Sequence, residues 1–368
     1  MLAYIFYAFI FLFIINLLYL FLFGNFAFSK NRTSIQKNFP QPVSVVICAK
    51  NEAANLKKHL PYFVNQNYSK FELVLVNDGS TDNTLEVIEN YESQYPFIKV
   101  VNVIPNEQFW GSKKYALTLG IKAAKYSHLL FSDADCKPKS EYWIREMMGL
   151  FSEKKQLVLG YGAYTKIKNS FLNKLIRYET LLTAVQYFSY AKLGFPYMGV
   201  GRNLAYTKDL FFKHSGFVNH MLIPSGDDDL FVNSAANSKN TALQFSIKSH
   251  TISIPEKTWK SWIHQKSRHI STASHYTLKH KFALSLFFTS KIVMLLLGAI
   301  LILFKYHLAV VLLGIAFYYL FMYLVFGLSS KKLDEKDLIF LLPILDLCLI
   351  CAQLFIFIKN IHKKPSHW

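Results

Sequence analysis

The stretch from Leu129 to Cys136 carries the plainest chemistry in the chain. A short apolar run, the pattern of a strand buried on both faces, ends in Asp133 and Asp135 with one small residue between them. In an open α/β sheet, ligands bind beyond the carboxyl ends of the strands. Alternate residues of an extended segment point the same way, so both carboxylates can face one object. A hard divalent cation, Mg²⁺ or Mn²⁺, that carries a diphosphate suits such a pair. The competing reading is a surface turn that happens to contain two aspartates.

Two further acidic clusters lie elsewhere. Asn77-Asp78-Gly79-Ser80 follows the apolar run Phe71 to Val76. There Asp78 can accept hydrogen bonds from a nucleobase or ribose, and Gly79 lets the turn pass close to a ligand. Gly226-Asp227-Asp228-Asp229 precedes a helical pattern from Leu230 to Ala236. Three adjacent carboxylates repel one another unless they cap a helix N-terminus or serve chemistry. Gly111-Ser112-Lys113 before a helix brings a cation and backbone N–H groups near phosphate, and Lys114 can share that role. Arg202, in Gly199-Val200-Gly201-Arg202-Asn203, can meet phosphate.

The elements that position these residues alternate in type. Strands are expected at Val43 to Ala49, Phe71 to Val76, Lys99 to Ile104 and from Leu129, with helices at about Leu56 to Val64, through Tyr91 and up to Ala124. Short-spaced alternation of this kind argues for a mainly parallel sheet with helices on both faces. Farther on come a helix at Tyr142 to Phe151, one strand at Gln156 to Tyr164 and a long aromatic-rich amphipathic stretch at Leu172 to Tyr190.

At 368 residues the chain has room for a sizeable core and additional elements. Its hydrophobic share is 52%, with 33 Phe and 22 Tyr, and the excess collects at the two ends. Leu2 to Phe23 is long enough to span a bilayer and lacks the basic start and cleavage site of a signal peptide, so it reads as an anchor. Lys30, Arg32 and Lys37 follow it, which puts the next domain on the cytoplasmic side. Further spans are expected at about 282–304, 308–328 and 338–358, the last interrupted by Pro343 and Asp346. The expected organisation is an anchor at 1–24, a basic linker at 25–42, a cytoplasmic α/β domain at 43–270, and an interfacial and membrane region at 271–368.

The formal charge of +18 fits an anionic membrane surface. No nucleic-acid-binding pattern occurs, so no nucleic acid partner is expected. Cys48, Cys136, Cys348 and Cys351 make no disulfide framework, and the last two sit in an apolar segment as small apolar residues.

Val43 to Glu52, the Asn77 to Thr81 turn and Asp133-Ala134-Asp135 together resemble family 2 glycosyltransferases, inverting enzymes of the GT-A fold. The resemblance runs from about Val43 to His269. It implies a nucleoside-diphosphate sugar donor, with Glu52 and Asp78 holding the nucleotide and Lys113 matching a family lysine ahead of Ala116-Leu117. It further implies that Asp135, with Asp133, holds the metal, that the Gly/Asn turn around Arg202 lines the donor pocket, and that the pair Asp227-Asp228 supplies the base, usually from its second member. Gln265 and Arg268 match the Gln-x-x-Arg-Trp element of processive members, where the arginine contacts diphosphate. His269 stands in place of the Trp, which favours single transfer. Trp259, Trp262, Lys260 and Lys266 also suit a membrane surface. The anchors and the interfacial Trp/Lys segment lead us to expect a membrane-proximal lipid or saccharide acceptor. The alternative is a catalytically silent membrane subunit that binds nucleotide sugar or a partner. A nucleotidyl- or phosphotransferase would want a Gly-rich loop after the first strand, where Lys50-Asn51-Glu52-Ala53 stands instead.

Overall fold

The computed structural model describes residues 1–30, 41–104, 113–223 and 225–362. Arg32, Lys37, Gly111 and Ser112 lie outside the described residues, as does the side chain of His269.

Val-, Ile- and Leu-rich runs buried on both faces form the first strands, β1 (Val43–Ala49) and β2 (Phe71–Asp78), with α2 (Ala53–Val64) between them; a separate helix, α1 (Leu2–Ala27), precedes them. After β2 come α3 (Thr84–Gln94), β3 (Ile98–Val103), α4 (Lys113–Ala123) and β4 (His128–Asp133). The chain then makes β5 (Cys136–Pro138), α5 (Trp143–Met148), β6 (Leu157–Leu159), β7 (Gly162–Tyr164) and α6 (Phe171–Lys192). β8 (Leu204–Thr207), α7 (Lys208–Lys213), α8 (Asp229–Ala235), β9 (Thr241–Leu243), β10 (Thr251–Ser253) and α9 (Trp259–Ala273) follow.

The main sheet has the order β3-β2-β1-β4-β8-β6-β9. β3, β2, β1 and β4 run parallel, β6 and β9 are parallel to each other, and β8 is antiparallel to both its neighbours. A second sheet, β5-β10-β7, abuts it. One apolar cluster under the first sheet gathers Leu60, Phe63, Trp143 and Met147; the other merges with the helices at the chain ends.

The expected single strand at Gln156 to Tyr164 is two strands in two sheets. The break falls at Gly160-Tyr161, where Gly160 N–H donates to the Asn203 carbonyl and Asn203 Nδ2 donates to the Tyr161 carbonyl. The apolar run stays buried through the change of sheet, so hydrophobicity alone does not reveal it.

Among the described residues, four helices are long and apolar enough to cross a membrane: α1, α10 (Leu278–Leu303), α11 (Leu308–Leu333), and Lys336–Asn360, which comprises a 3₁₀ turn and most of α12 (Leu342–His362). Pro343 falls in the first turn of α12, where its missing N–H costs nothing, so it does not interrupt the helix. Helix α6 packs between these helices and the sheet. Phe188 stacks on Phe26 at 5.0 Å, and Tyr178 Oη donates to Asp346 Oδ1 at 2.8 Å. Asp346 also pairs with Lys291 at 2.5 Å, so the charge in this apolar segment is matched inside protein.

Candidate active site

Parallel pairing brings the carboxyl ends of β1, β2 and β4 to one edge: Cys48 lies opposite Asp133, and Ala49 opposite Asn77. Glu52 stands at the start of α2 in the loop after β1, Asp78 ends β2 and Asp133 ends β4. The first two loops are tied together. Thr81 N–H donates to Asn51 Oδ1 at 2.8 Å, and Glu52 N–H donates to Thr84 Oγ1 at 2.8 Å. Asn55 Nδ2 donates to Glu52 Oε2 at 2.6 Å, fixing that carboxylate.

The third acidic cluster arrives from the other side. A cleft is lined by Lys113, Leu117, Ser132, Asp133, Gly201 and the pair Asp227 and Asp228. Lys113 Nζ stands 2.9 Å from Asp133 Oδ1 and 3.2 Å from Asp227 Oδ2, so one ammonium bridges two acidic elements almost a hundred residues apart. Asp228 accepts from Gly201 N–H at 2.6 Å and from Asp229 N–H at 2.7 Å. A Cβ at position 201 would sit 3.4 Å from the Asp228 side chain, in van der Waals contact with it. Gly226, at φ +94°, takes a left-handed turn that delivers the acidic run.

The three adjacent aspartates have different surroundings. Asp229 is buried and accepts from Thr272 Oγ1 at 2.8 Å and Tyr276 Oη at 2.6 Å, which makes it an anchor for α9 and the turn after it. Burial draws the Asp227 carboxyl upward, but the Lys113 ammonium outweighs this and holds it below the usual range. Asp228 is pushed up to about 8, by burial first and then by the charges of Asp227 and Asp229. Burial also raises Glu52, Asp78 and Asp135, the last with help from the charge of Asp133. Such a cleft favours a ligand that brings positive charge.

Asp133, Asp135 and Cys136 place a carboxylate oxygen each and the Cys136 sulfur within 4.8 Å of one another. The Cys136 thiol is buried, its pKa held well above the ordinary value by that burial, and it hydrogen bonds with Ser253 and Asp135. The donor set that fits a metal is therefore two hard carboxylates, which suits Mg²⁺ or Mn²⁺.

Arg202 lies beside this pair but faces inward. Its guanidinium stacks 4.1 Å from the centre of Tyr164 and donates to the Gly162 carbonyl at 2.7 Å, and Asp135 senses its charge. Lys114 takes no share of the cleft, contrary to the sequence expectation. It is 2% exposed and donates to the carbonyls of His220, Ile223 and Ser225. Gln265 and Arg268 lie on α9 and, like Glu52, Asp78, Asp135 and Arg202, are not among the residues lining the cleft. That helix meets the site through Thr272 instead, while Trp262 is buried and Trp259 half exposed. Tyr164, Thr272 and Tyr276 were not legible as site residues, because each acts through a partner distant in sequence.

Comparison with known proteins matches residues 44–213 to the family described as glycosyl transferase family 2. The chain is 26% identical over 253 residues to a probable glycosyltransferase, YdaM, of Bacillus subtilis, covering 66% of this chain and 57% of that protein. It is 30% identical over 193 residues to the glycosyltransferase AglE of Haloferax volcanii, covering 50% of this chain and 58% of that one. The chain thus spans less than three fifths of either relative's length. Among solved structures, a mannosyltransferase from Pyrobaculum calidifontis, determined with GDP-Man and Mn²⁺, superposes with a TM-score of 0.60 at 16% identity. That match covers 91% of this chain and 100% of the other, and it establishes a GT-A-type α/β fold. Residues 44–213 of this chain match the glycosyl transferase family 2 model and are set between helices long and apolar enough to cross a membrane.

Proposed function

We propose that the chain is an inverting, divalent-metal-dependent glycosyltransferase that moves a sugar from a nucleoside-diphosphate sugar to a lipid-linked or saccharide acceptor at a membrane. The observation that carries this reading is the single cleft in which Lys113 bridges Asp133 and Asp227, with Asp228 alongside. Glu52, in the loop after β1, and Asp78, at the end of β2, hold the nucleotide. Asp135 and Asp133 hold Mg²⁺ or Mn²⁺. When bound, the metal offsets the negative charge that grows on the leaving diphosphate. Lys113 and Arg202 add fixed positive charge beside the same carboxylates. Asp228 takes the proton from the acceptor hydroxyl as its oxygen bonds to the anomeric carbon, and the bond from that carbon to the diphosphate oxygen breaks on the opposite face. Gln265 and Arg268, on α9, belong to the donor side of the reading, with Arg268 contacting the diphosphate. The domain organisation that goes with this is a cytoplasmic catalytic domain at 43–270, tethered in the cell membrane by the four apolar helices.

The test is donor hydrolysis and transfer by detergent-solubilised full-length protein, across UDP-, GDP- and dTDP-sugars with Mn²⁺ or Mg²⁺. The expected result is release of one nucleotide that EDTA abolishes and that Asp135→Ala loses. Absence of both nucleotide binding and release across the panel overturns the proposal in favour of a silent membrane subunit.

A pH profile checks the base. A carboxyl raised to about 8 is largely protonated at neutral pH, so kcat/KM should climb as pH rises through about 8. In Asp227→Asn a like charge disappears, and the rising limb should move to lower pH. A limb left in place by that substitution rules out Asp228 as the titrating base.

A further inference from the structure

Two neighbouring lysines at the start of α4 face different tasks. Lys113 meets carboxylates, whereas Lys114 meets only backbone. Its Nζ donates to the carbonyl oxygens of His220 at 2.7 Å, Ile223 at 2.9 Å and Ser225 at 2.8 Å. Three donors and three acceptors saturate an ammonium. These carbonyls belong to the stretch that runs through Gly226 into Asp227 and Asp228. The same stretch exposes Val218 and Leu222, the latter 90% exposed, while Met221 and Ile223 pack partly buried against the core. The short 3₁₀ turn Val218–His220 contains no buried residue. The polar tie on this segment is a buried cation on a helix that packs against β1, β2 and β3.

We propose that Lys114 is a positioning residue: by holding the carbonyls of His220, Ile223 and Ser225 it sets where Asp227 and Asp228 stand against Asp133, and so governs the acceptor half of the reaction rather than donor binding. The proposal rests on the transferase reading above. Through Lys113 and Lys114, one helical turn aligns the metal-side carboxylate and the base-side loop. Loss of Lys114 leaves three inward-facing carbonyls without their donor, and the segment relaxes toward water. The donor-side residues keep their own supports, the strand ends and the Asn51 and Thr84 hydrogen bonds.

The experiment compares wild type, Lys114→Met and Lys114→Arg as full-length protein in detergent. Binding of UDP or GDP with Mn²⁺ should stay within about threefold of wild type. Transfer kcat in Lys114→Met should fall by about 100-fold, the cost of roughly 1 Å of misplacement at a reacting group. Lys114→Arg, which keeps charge and donors, should recover part of that loss. An unchanged kcat in Lys114→Met overturns the proposal, as does an equal loss of nucleotide binding and turnover. A readout independent of activity is chymotrypsin cleavage at Leu222, which should quicken in Lys114→Met; equal cleavage rates also overturn the proposal. If the wild type binds no nucleotide, the transferase reading fails, and the cleavage comparison still decides whether Lys114 holds the loop. Should Lys114→Met not fold, Lys114→Gln is read by the same three measurements.

Discussion

Asp228→Asn should abolish transfer while leaving donor binding intact. General-base removal costs about 10² to 10⁴-fold in rate. The substitution is close to isosteric, but the two bonds that hold this side chain go to different oxygens, Gly201 N–H to Oδ2 and Asp229 N–H to Oδ1, so the amide oxygen keeps one of them and the NH₂ cannot accept the other. It removes the ability to accept a proton at the cost of one accepted hydrogen bond. A structural role for Asp228 would instead show as loss of nucleotide affinity or of thermal stability. The neighbouring substitution Asp229→Asn separates the two cases. Asp229 is held by Thr272 and Tyr276, so its loss should loosen α9 and lower the melting point; because its charge also helps raise Asp228, the pH profile should move to lower pH while transfer persists. Measuring kcat, KM for the donor and nucleotide affinity for both variants checks the assignment. A wild-type kcat in Asp228→Asn would exclude it as the base.

Arg177→Met should be the most destabilising single change at the junction of the sheet domain and the apolar helices. Arg177 and Glu335 are 2% and 1% exposed. Arg177 also donates to Asp337 at 2.8 Å, and Tyr161 Oη donates to Glu335 at 3.4 Å. Lys139 and Lys166 converge on Asp334 beside them. An acidic turn between α11 and α12 is thus seated in a basic socket built from β5, β7 and α6. Methionine matches the arginine stem but leaves Glu335 buried without its cation, at a cost of about 3–5 kcal/mol.

The sign of the pH dependence follows from Glu335, which burial raises to about 7 in spite of Arg177. Without the guanidinium its folded-state pKa climbs further. A carboxyl with a raised folded pKa favours folding at low pH and loses that contribution as pH rises past its unfolded value. The destabilisation in Arg177→Met should therefore be larger at pH 8 than at pH 5.5, read as the drop in thermal midpoint in detergent. Glu335→Gln should cost less, because Arg177 keeps Asp337. Equal midpoints for Arg177→Met and wild type at pH 8 would exclude the socket as a structural joint.

Much of this site was legible before any coordinates. Asp133 and Asp135 follow an apolar run with the pattern of a buried strand, and parallel sheets put such ends at the ligand edge. Asp78 and Glu52 were legible for the same reason. The long apolar runs marked the membrane-length helices by composition alone. Where the sequence misled, the signal was ambiguous in kind. Gln156 to Tyr164 keeps one hydrophobic character across two sheets, because both faces are buried on either side of the Gly160 break. Lys113 and Lys114 are identical in type and adjacent in position, yet a helix turns about 100° per residue, which sends one to the cleft and the other to a loop.

The sequence by itself determined the strand ends, the acidic clusters and the apolar helices, since each depends on residues close together in the chain. Only the tertiary structure decided that Lys113 joins Asp133 to Asp227, that Asp229 serves α9 while Asp228 faces the cleft, and that Arg202 lies over Tyr164. Those choices depend on which donors reach each charge across tens of residues. Burial makes an unpaired charge too costly to leave, so the nearest available partner fixes each residue's part.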